Sequence, residues 1–350
     1  MKPIFIQAVE VADGQAIWPE GTPLSPFYWK DGCWRRQGIQ LEAYPQSKYP
    51  DGIQLLNNMA DKLKSVLQAG TTAVFSASSR GDESYLFNQI KEQNPDARSS
   101  PFSTHGVYAS SMASFLNIPA SISASQTCSS SGMAFINAIA WMRAGLIDQA
   151  VVAAIELPEH PSTIAMLKKS GILNTNPDSG PWPLRTSNAG IGTVVSSAAV
   201  AMVLTTKQPE KGMKISGIGW AMEKASSPAG IHPLGLAFQE SMKQACHPFG
   251  TPDLILAHLP GTRNGNLAEQ SAIDAVFKSQ RPITMGSKWF SGHALGASTA
   301  VSMVWAWKML AEQCRPMLTP ESALPSLPQS VLINSQGFGG QATSILLENV

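Results

Sequence analysis

The hydrophobic pattern along the chain switches between two periods. Over residues 53–68, Leu56, Met59, Leu63 and Leu67 recur at spacings of three and four, the signature of one helix face. Residues 71–77 read as a buried strand, ended by the polar turn Ser78-Ser79-Arg80-Gly81. Residues 83–93 read as a second helix, closed by Asn94-Pro95. An extended segment at 119–125 leads into a helical pattern at 129–144, a stop at Gly145 and a strand at 150–155. The apolar run 193–204 is shorter than the ~18 residues of a membrane span and reads as a buried strand. The N-terminal stretch has one Lys, a short apolar run and then acidic residues, and reads as a first strand rather than a cleaved leader.

Polar residues 207–211 reset the pattern, so the two halves are expected to meet near Gly212, as 1–212 and 213–350. A second cycle follows: strand 214–220, helix 235–246, strand 253–257, helices 267–277 and 297–311, and strands 331–333 and 344–347. The alternation predicts an α/β fold, and the two cycles hint at internal duplication. Residues 18–45 break the pattern. Trp18, Phe27, Tyr28, Trp29 and Trp34 stand there among Pro, Gly and Arg, too aromatic for a disordered linker.

Composition narrows the function. A chain of 350 residues corresponds to roughly two domain-sized units. Only 14% of residues are charged, against about 25% in a typical soluble protein, which points to surface buried inside a large core or against another subunit. Net charge is +1 without a basic stripe, so no nucleic-acid partner is expected. No apolar run is long enough to span a membrane. The four cysteines, Cys33, Cys128, Cys246 and Cys314, are scattered without a CxxC pair. That argues against a disulfide framework or a zinc site, and for a cytoplasmic setting.

One cysteine has a reactive context. Cys128, in Gln126-Thr127-Cys128-Ser129-Ser130-Ser131-Gly132, stands between the extended segment and the start of a helix. Helix-terminal N–H groups favour a thiolate there, and Cys128 is expected to be alkylated faster than the other three. His258 ends a strand and opens the loop Leu259-Pro260-Gly261-Thr262; His293 precedes a helix rich in small residues. A cysteine nucleophile needs imidazoles as base or as hydrogen-bond donors. His105, His160, His232 and His247 lack such context and read as structural. Gly337-Phe338-Gly339-Gly340 follows an apolar strand and lacks the Lys or helix pattern of a phosphate cradle.

Together these residues resemble the β-ketoacyl synthases. Cys128 with its Ser-Ser-Ser-Gly tail resembles the nucleophile motif, and His258-Leu-Pro-Gly-Thr262 with Glu269 is similar to the first histidine motif. Lys288 five residues before His293, followed by Leu-Gly-Ala-Ser, is similar to the second, and Gly337 to Gly340 resemble the closing GFGG loop. The likeness spans about three quarters of the chain and is weakest over its first 50 residues.

The resemblance implies a thiolase-like, five-layered αβαβα fold of two similar halves, and a dimer, with itself or with a second ketosynthase-fold subunit. It implies an acyl carrier protein as partner and no metal or redox cofactor. It makes Cys128 the acyl acceptor, and His258 and His293 the groups that hold the malonyl thioester and its enolate. Backbone N–H groups of Cys128 and Phe338 form the oxyanion hole. Lys288, Thr262, Gly337, Gly339 and Gly340 support the site, and Phe338 gates it. Four departures stand out: Asn266 for an Asp, Ser302 for a Glu, Ser196-Ser197-Ala198 for Gly-Glu-Gly, and Gln336 for a Phe. They leave open a non-elongating, chain-length-factor-like subunit, and a thiol acyltransferase or thioesterase on the same fold.

Overall fold

The structure, a computed structural model, describes residues 2–12, 17–19, 24–39, 41, 50–68, 70–93, 97–185, 191–224, 227, 230–278 and 280–350. Its strands are β1 (Ile4–Val11), β2 (Phe27–Lys30), β3 (Cys33–Arg36), β4 (Thr72–Ala77), β5 (Ala120–Ala124), β6 (Gln149–Glu156) and β7 (Ala198–Thr205). They continue as β8 (Met213–Met222), β9 (Leu254–Leu256), β10 (Ile283–Met285), β11 (Met317–Thr319), β12 (Ser322–Ala323), β13 (Ser330–Gln336) and β14 (Gln341–Asn349).

Ten strands make one sheet in the order β10-β9-β13-β14-β8-β1-β7-β6-β4-β5. Ranked by chain position within its own half, each set of five has the same order, 3-2-4-5-1. Pairing directions match as well. β4 runs parallel to β5 and β6, and β7 antiparallel to β6 and β1. β9 runs parallel to β10 and β13, and β14 antiparallel to β13 and β8. The sets join where Ile4 of β1 faces Ile215 of β8.

The period of two explains the layers. On β6, Ala150, Val152 and Ala154 face a central core, while Val151, Ala153 and Ile155 face an outer one. Every residue of β4, β6 and β7 is buried, as strands covered on both faces require. The central core holds helices Ser130–Arg143 and Ser298–Leu310, which are apolar nearly all round and join where Ala300 N donates to Ser131 Oγ at 3.2 Å. Helices Asp51–Leu63 and Gly106–Leu116 cover one outer face, and Leu236–Cys246 and Arg263–Phe277 the other. The result is the five-layered thiolase-like fold. Trp305 plugs the central layer, fully buried, with Nε1 donating to Ile17 O at 2.8 Å. Truncation to Ala there costs about 3–5 kcal/mol.

Most expected elements form within a few residues of their expected bounds. The helix expected at 53–68 ends at Leu63, where the chain closes in turns onto the Leu63 carbonyl. Strand 193–204 is corrected: the ladder begins at Ala198, and residues before it make isolated bridges, Thr193 to Leu173 and Val195 to His293. The aromatic segment is partly an ordered hairpin, β2 with β3; its residues 20–23, 40 and 42–45 lie outside the described ones, as does Asn94-Pro95.

Candidate active site

Three turns bring the chemistry together. β5 runs into a 3-10 turn, Thr127–Ser129, that carries Cys128 and leads directly into helix Ser130–Arg143. His258 follows β9, and His293 follows the short helix Lys288–Ser291 and precedes a second 3-10 turn, Leu295–Ala297. Each turn contains a left-handed residue beside the functional one: Thr127 (φ 47°), Leu259 (φ 35°) and Leu295 (φ 40°). A non-glycine residue held there costs of order 1–3 kcal/mol and persists only where its surroundings enforce it.

All three side chains line one cleft, together with Thr127, Thr193, Pro260, Thr262, Gln336, Gly337 and Phe338. The rings of His258 and His293 meet edge to face, centroids 5.3 Å apart at 83°. His293 Nδ1 pairs with Ser298 Oγ at 2.8 Å. Lys288, fully inside, sets its Nζ against the His258 carbonyl and 3.5 Å from His258 Nδ1. Glu269 pins the same loop: Oε1 accepts from His258 N and Oε2 from Leu259 N, both at 2.8 Å.

The turn between β13 and β14 closes the cleft. Thr127 Oγ1 donates to Phe338 O at 3.4 Å, and Ser335 Oγ to Cys128 O at 3.2 Å. A Cβ on Gly337 would run into Thr127 Oγ1, so only glycine lets the turn approach so closely. Gly339 and Gly340 hold φ of 91° and 84°, which turn the chain back into β14. Phe338 is 39% exposed at the cleft mouth, and Thr262 opens helix Arg263–Phe277.

Burial dominates the electrostatics. It pushes the Cys128 thiol up to about 12, against the opposing charge of Lys288. Removal from water works against the thiolate expected from the helix terminus. Burial lowers Lys288 to about 8, while Glu269 and Cys128 act to raise it. Burial, and then the charge of Lys288, hold His258 and His293 well below the usual imidazole range, so both are neutral. Burial also raises Glu156 to about 7; its carboxyl ties the loop after β4 by accepting from Ser79 N.

Two of the other histidines have local side-chain partners. His160 Nδ1 accepts from Ser162 N and stacks on Phe87, and His232 Nδ1 accepts from Leu234 N. Ser298, Ser335 and Glu156 carry no sequence signal that sets them apart; only their place in space does. At the departures, Ser302 pairs with Ser287 at 3.3 Å, Asn266 Oδ1 accepts from Gly261 N at 3.1 Å, and Ser197 Oγ accepts from Ile39 N at 2.8 Å. Among the described residues, no cluster of His, Cys, Asp or Glu could hold a metal, and no helix is long and apolar enough to cross a membrane.

The fold and sequence have clear relatives. Over its whole length the chain superposes on a chain from the structure of a type II polyketide acyl-carrier protein in complex with its ketosynthase bound to a hexaketide (TM-score 0.82, 16% identity, 100% of each chain). It also superposes on one from a ketosynthase in complex with its chain length factor from Xenorhabdus doucetiae (TM-score 0.78, 19% identity, 100% and 98%). It is 26% identical over 245 residues to the 3-oxoacyl-[acyl-carrier-protein] synthase 2 of Mycobacterium leprae, covering 62% of this chain and 58% of that one. It is 26% identical over 321 residues to the 6-hydroxymellein synthase cdmE of Talaromyces verruculosus, covering 81% of this chain but 12% of that one. Residues 57–210 match the model of the β-ketoacyl synthase N-terminal domain and residues 213–320 that of its C-terminal domain, so the chain belongs to the β-ketoacyl synthase family.

Proposed function

We propose that the chain is a condensing enzyme that joins an acyl group on Cys128 to the two-carbon unit of a malonyl-carrier-protein thioester. The observation that carries this is the convergence of Cys128, His258 and His293 on one cleft. In the first step Cys128 Sγ attacks the thioester carbonyl of an acyl-carrier protein. The new C–S bond forms, the carrier's C–S bond breaks, and the thiol proton leaves with the carrier's sulfur. Backbone N–H groups of Cys128 and Phe338 receive the transient oxyanion.

In the second step the malonyl thioester loses its carboxylate as CO2, and the electron pair of the broken C–C bond becomes an enolate. Lys288 donates to His258 Nδ1. That leaves Nε2–H as the donor to the enolate oxygen, as a second hydrogen bond fixes a tautomer. His293, with Nδ1 on Ser298, adds the second donor. The enolate carbon then attacks the acyl-Cys128 carbonyl, the C–S bond breaks, and the leaving thiolate takes a proton from water. Phe338 gates the cleft, and Thr262, Gly337, Gly339 and Gly340 hold its walls.

In this reading residues 1–212 carry the nucleophile and 213–350 the histidines and closing turn. The partners are an acyl carrier protein and a second ketosynthase-fold chain, identical or not, in a reducing cytoplasm. The test is incubation with acyl- and malonyl-carrier proteins, followed by mass spectrometry of Cys128 and of the carrier. A two-carbon extension lost in Cys128→Ala is the expected result. Absence of any acyl-Cys128 would sink the proposal. A second reading, a non-elongating partner subunit, is favoured by Ser302, which leaves Lys288 beside Glu269 without the second carboxylate that the family resemblance implies. Extension only after co-expression with a second synthase would select it.

A further inference from the structure

Gln336 ends β13, two residues before Phe338. Its side chain is buried and shares the cleft wall with Cys128, His258 and His293. Chemistry fixes the orientation of its amide. Nε2 donates to Glu223 Oε1 at 3.1 Å. That carboxylate also accepts from His232 N at 2.7 Å and Ala237 N at 2.9 Å, so it is held in place as an acceptor. Turning the amide over would set two acceptors face to face. What Gln336 has left to offer is Oε1, which is buried and has no partner among the described residues.

A second atom on the same wall is in the same condition. Thr193 lines the cleft, and its Oγ1 is buried and unpartnered among the described residues. Its backbone is held by Ile172 O at 2.6 Å and Asn174 N at 2.7 Å, which fixes where the side chain stands. The same cleft also has the apolar side chains of Leu167, Ile172, Ile231 and Leu295 on its wall. Buried polar atoms without partners are costly, and an atom so placed is relieved by a complementary group on a ligand. A saturated acyl chain leaves both unpaired. A hydroxyl near the thioester end has an O–H for Gln336 Oε1 and a lone pair for the Thr193 hydroxyl.

We propose that Gln336 and Thr193 make the cleft selective for acyl groups that carry a hydroxyl near the thioester, over saturated chains of the same length. This rests on the reading of Cys128 as the acyl acceptor. The amide N–H groups of the carrier's own prosthetic arm are the other source of donors, and they are common to both substrates.

The experiment loads a carrier protein with 3-hydroxybutyryl or butyryl groups and follows acylation of Cys128 by intact-protein mass spectrometry. The wild-type protein is expected to favour the hydroxylated chain at least about tenfold, and the ratio to fall toward one in Gln336→Met and Thr193→Val, which keep the volume and remove the polar atom. A wild-type ratio near one overturns the proposal while leaving Cys128 as acyl acceptor, and it needs no variant that folds. Equal loss on both substrates in Gln336→Met, with the ratio unchanged, assigns the donor to the carrier arm and also overturns it. No acylation from either substrate removes the condensing reading and this inference with it.

Discussion

Lys288 places its Nζ against the main-chain oxygen of His258 and 3.5 Å from Nδ1 of the same residue. One ammonium therefore holds both the backbone and the ring. Burial lowers this group to about 8, so it carries its charge at neutral pH and loses it just above. Malonyl decarboxylation is expected to fall as pH rises through about 8, and Lys288→Met to lack that limb at a lower plateau. Stability moves the other way for this group. Between about 8 and its unfolded value of 10.5 the unfolded chain binds more protons, so Lys288 adds stability as pH rises. The check is a pH–rate profile, and a flat wild-type profile from pH 7 to 9.5 would count against it.

The histidines divide the reaction. Both are neutral and buried, and in the proposed reading each donates to the enolate oxygen rather than taking a proton. His258→Ala and His293→Ala are each expected to lower decarboxylation by ~10²–10³, the usual loss for one oxyanion donor. Cys128 should still accept an acyl group, more slowly. Unchanged decarboxylation in either variant would take that histidine out of the site.

Thiol labelling separates position from environment. Cys128 stands at a helix start, but burial keeps it protonated, and Cys33 and Cys246 are buried too. Cys314 alone of the four is partly exposed. Iodoacetamide at neutral pH is expected to modify Cys314 first in the folded protein, as peptide mapping would show. Faster modification of Cys128 would mean that Lys288 and the helix end outweigh burial.

That contrast shows what could be read from the chain. The strand-to-turn-to-helix context of Cys128 is local, so periodicity and small residues reveal it. Its proton affinity depends on what covers it, including a turn from Ser335 to Phe338 that lies more than 200 residues away. His258 is legible as a loop residue after an apolar strand and His293 as one just before a helix rich in small residues, whereas the 30-residue reach from Lys288 to the His258 loop is not. Residues 193–197 were misread because Val194 and Val195 are as apolar as β7 itself. Val194 packs with Phe27 and Trp34, and Val195 with Cys128 and Leu295, instead of extending the ladder.

Glu156 offers a stability test independent of activity. Burial raises it from 4.5 to about 7, so the folded chain binds more protons in that window. Its contribution is fully present below about 4.5 and is lost as pH rises through about 7. Urea unfolding at pH 5 and pH 8 is expected to show a drop in the wild type that is smaller in Glu156→Gln. The same drop in both proteins would mean that the carboxyl does not titrate there.

Assembly follows from an edge. β5 lies at one end of the ten-strand order, paired on one side with β4 and, among the described residues, open along the other. An open edge presents unpaired N–H and C=O groups, which proteins cover or pair. On the same half, Ile90, Phe115 and Leu146 are exposed, 63%, 41% and 59% respectively, on a chain with only 14% charged residues. Stable interfaces that cover such surfaces bury roughly 2,000–5,000 Å². The expected species is therefore a dimer, with a mass about twice 37.3 kDa if it forms with itself. Sedimentation at micromolar concentration reads this directly, and co-expression with a second synthase decides which chain pairs with it. A homodimer purifies and works alone; a heterodimer subunit is poorly soluble or inactive alone and co-elutes with its partner. A stable, monodisperse monomer would defeat both forms, and with them the step from low charge to covered surface.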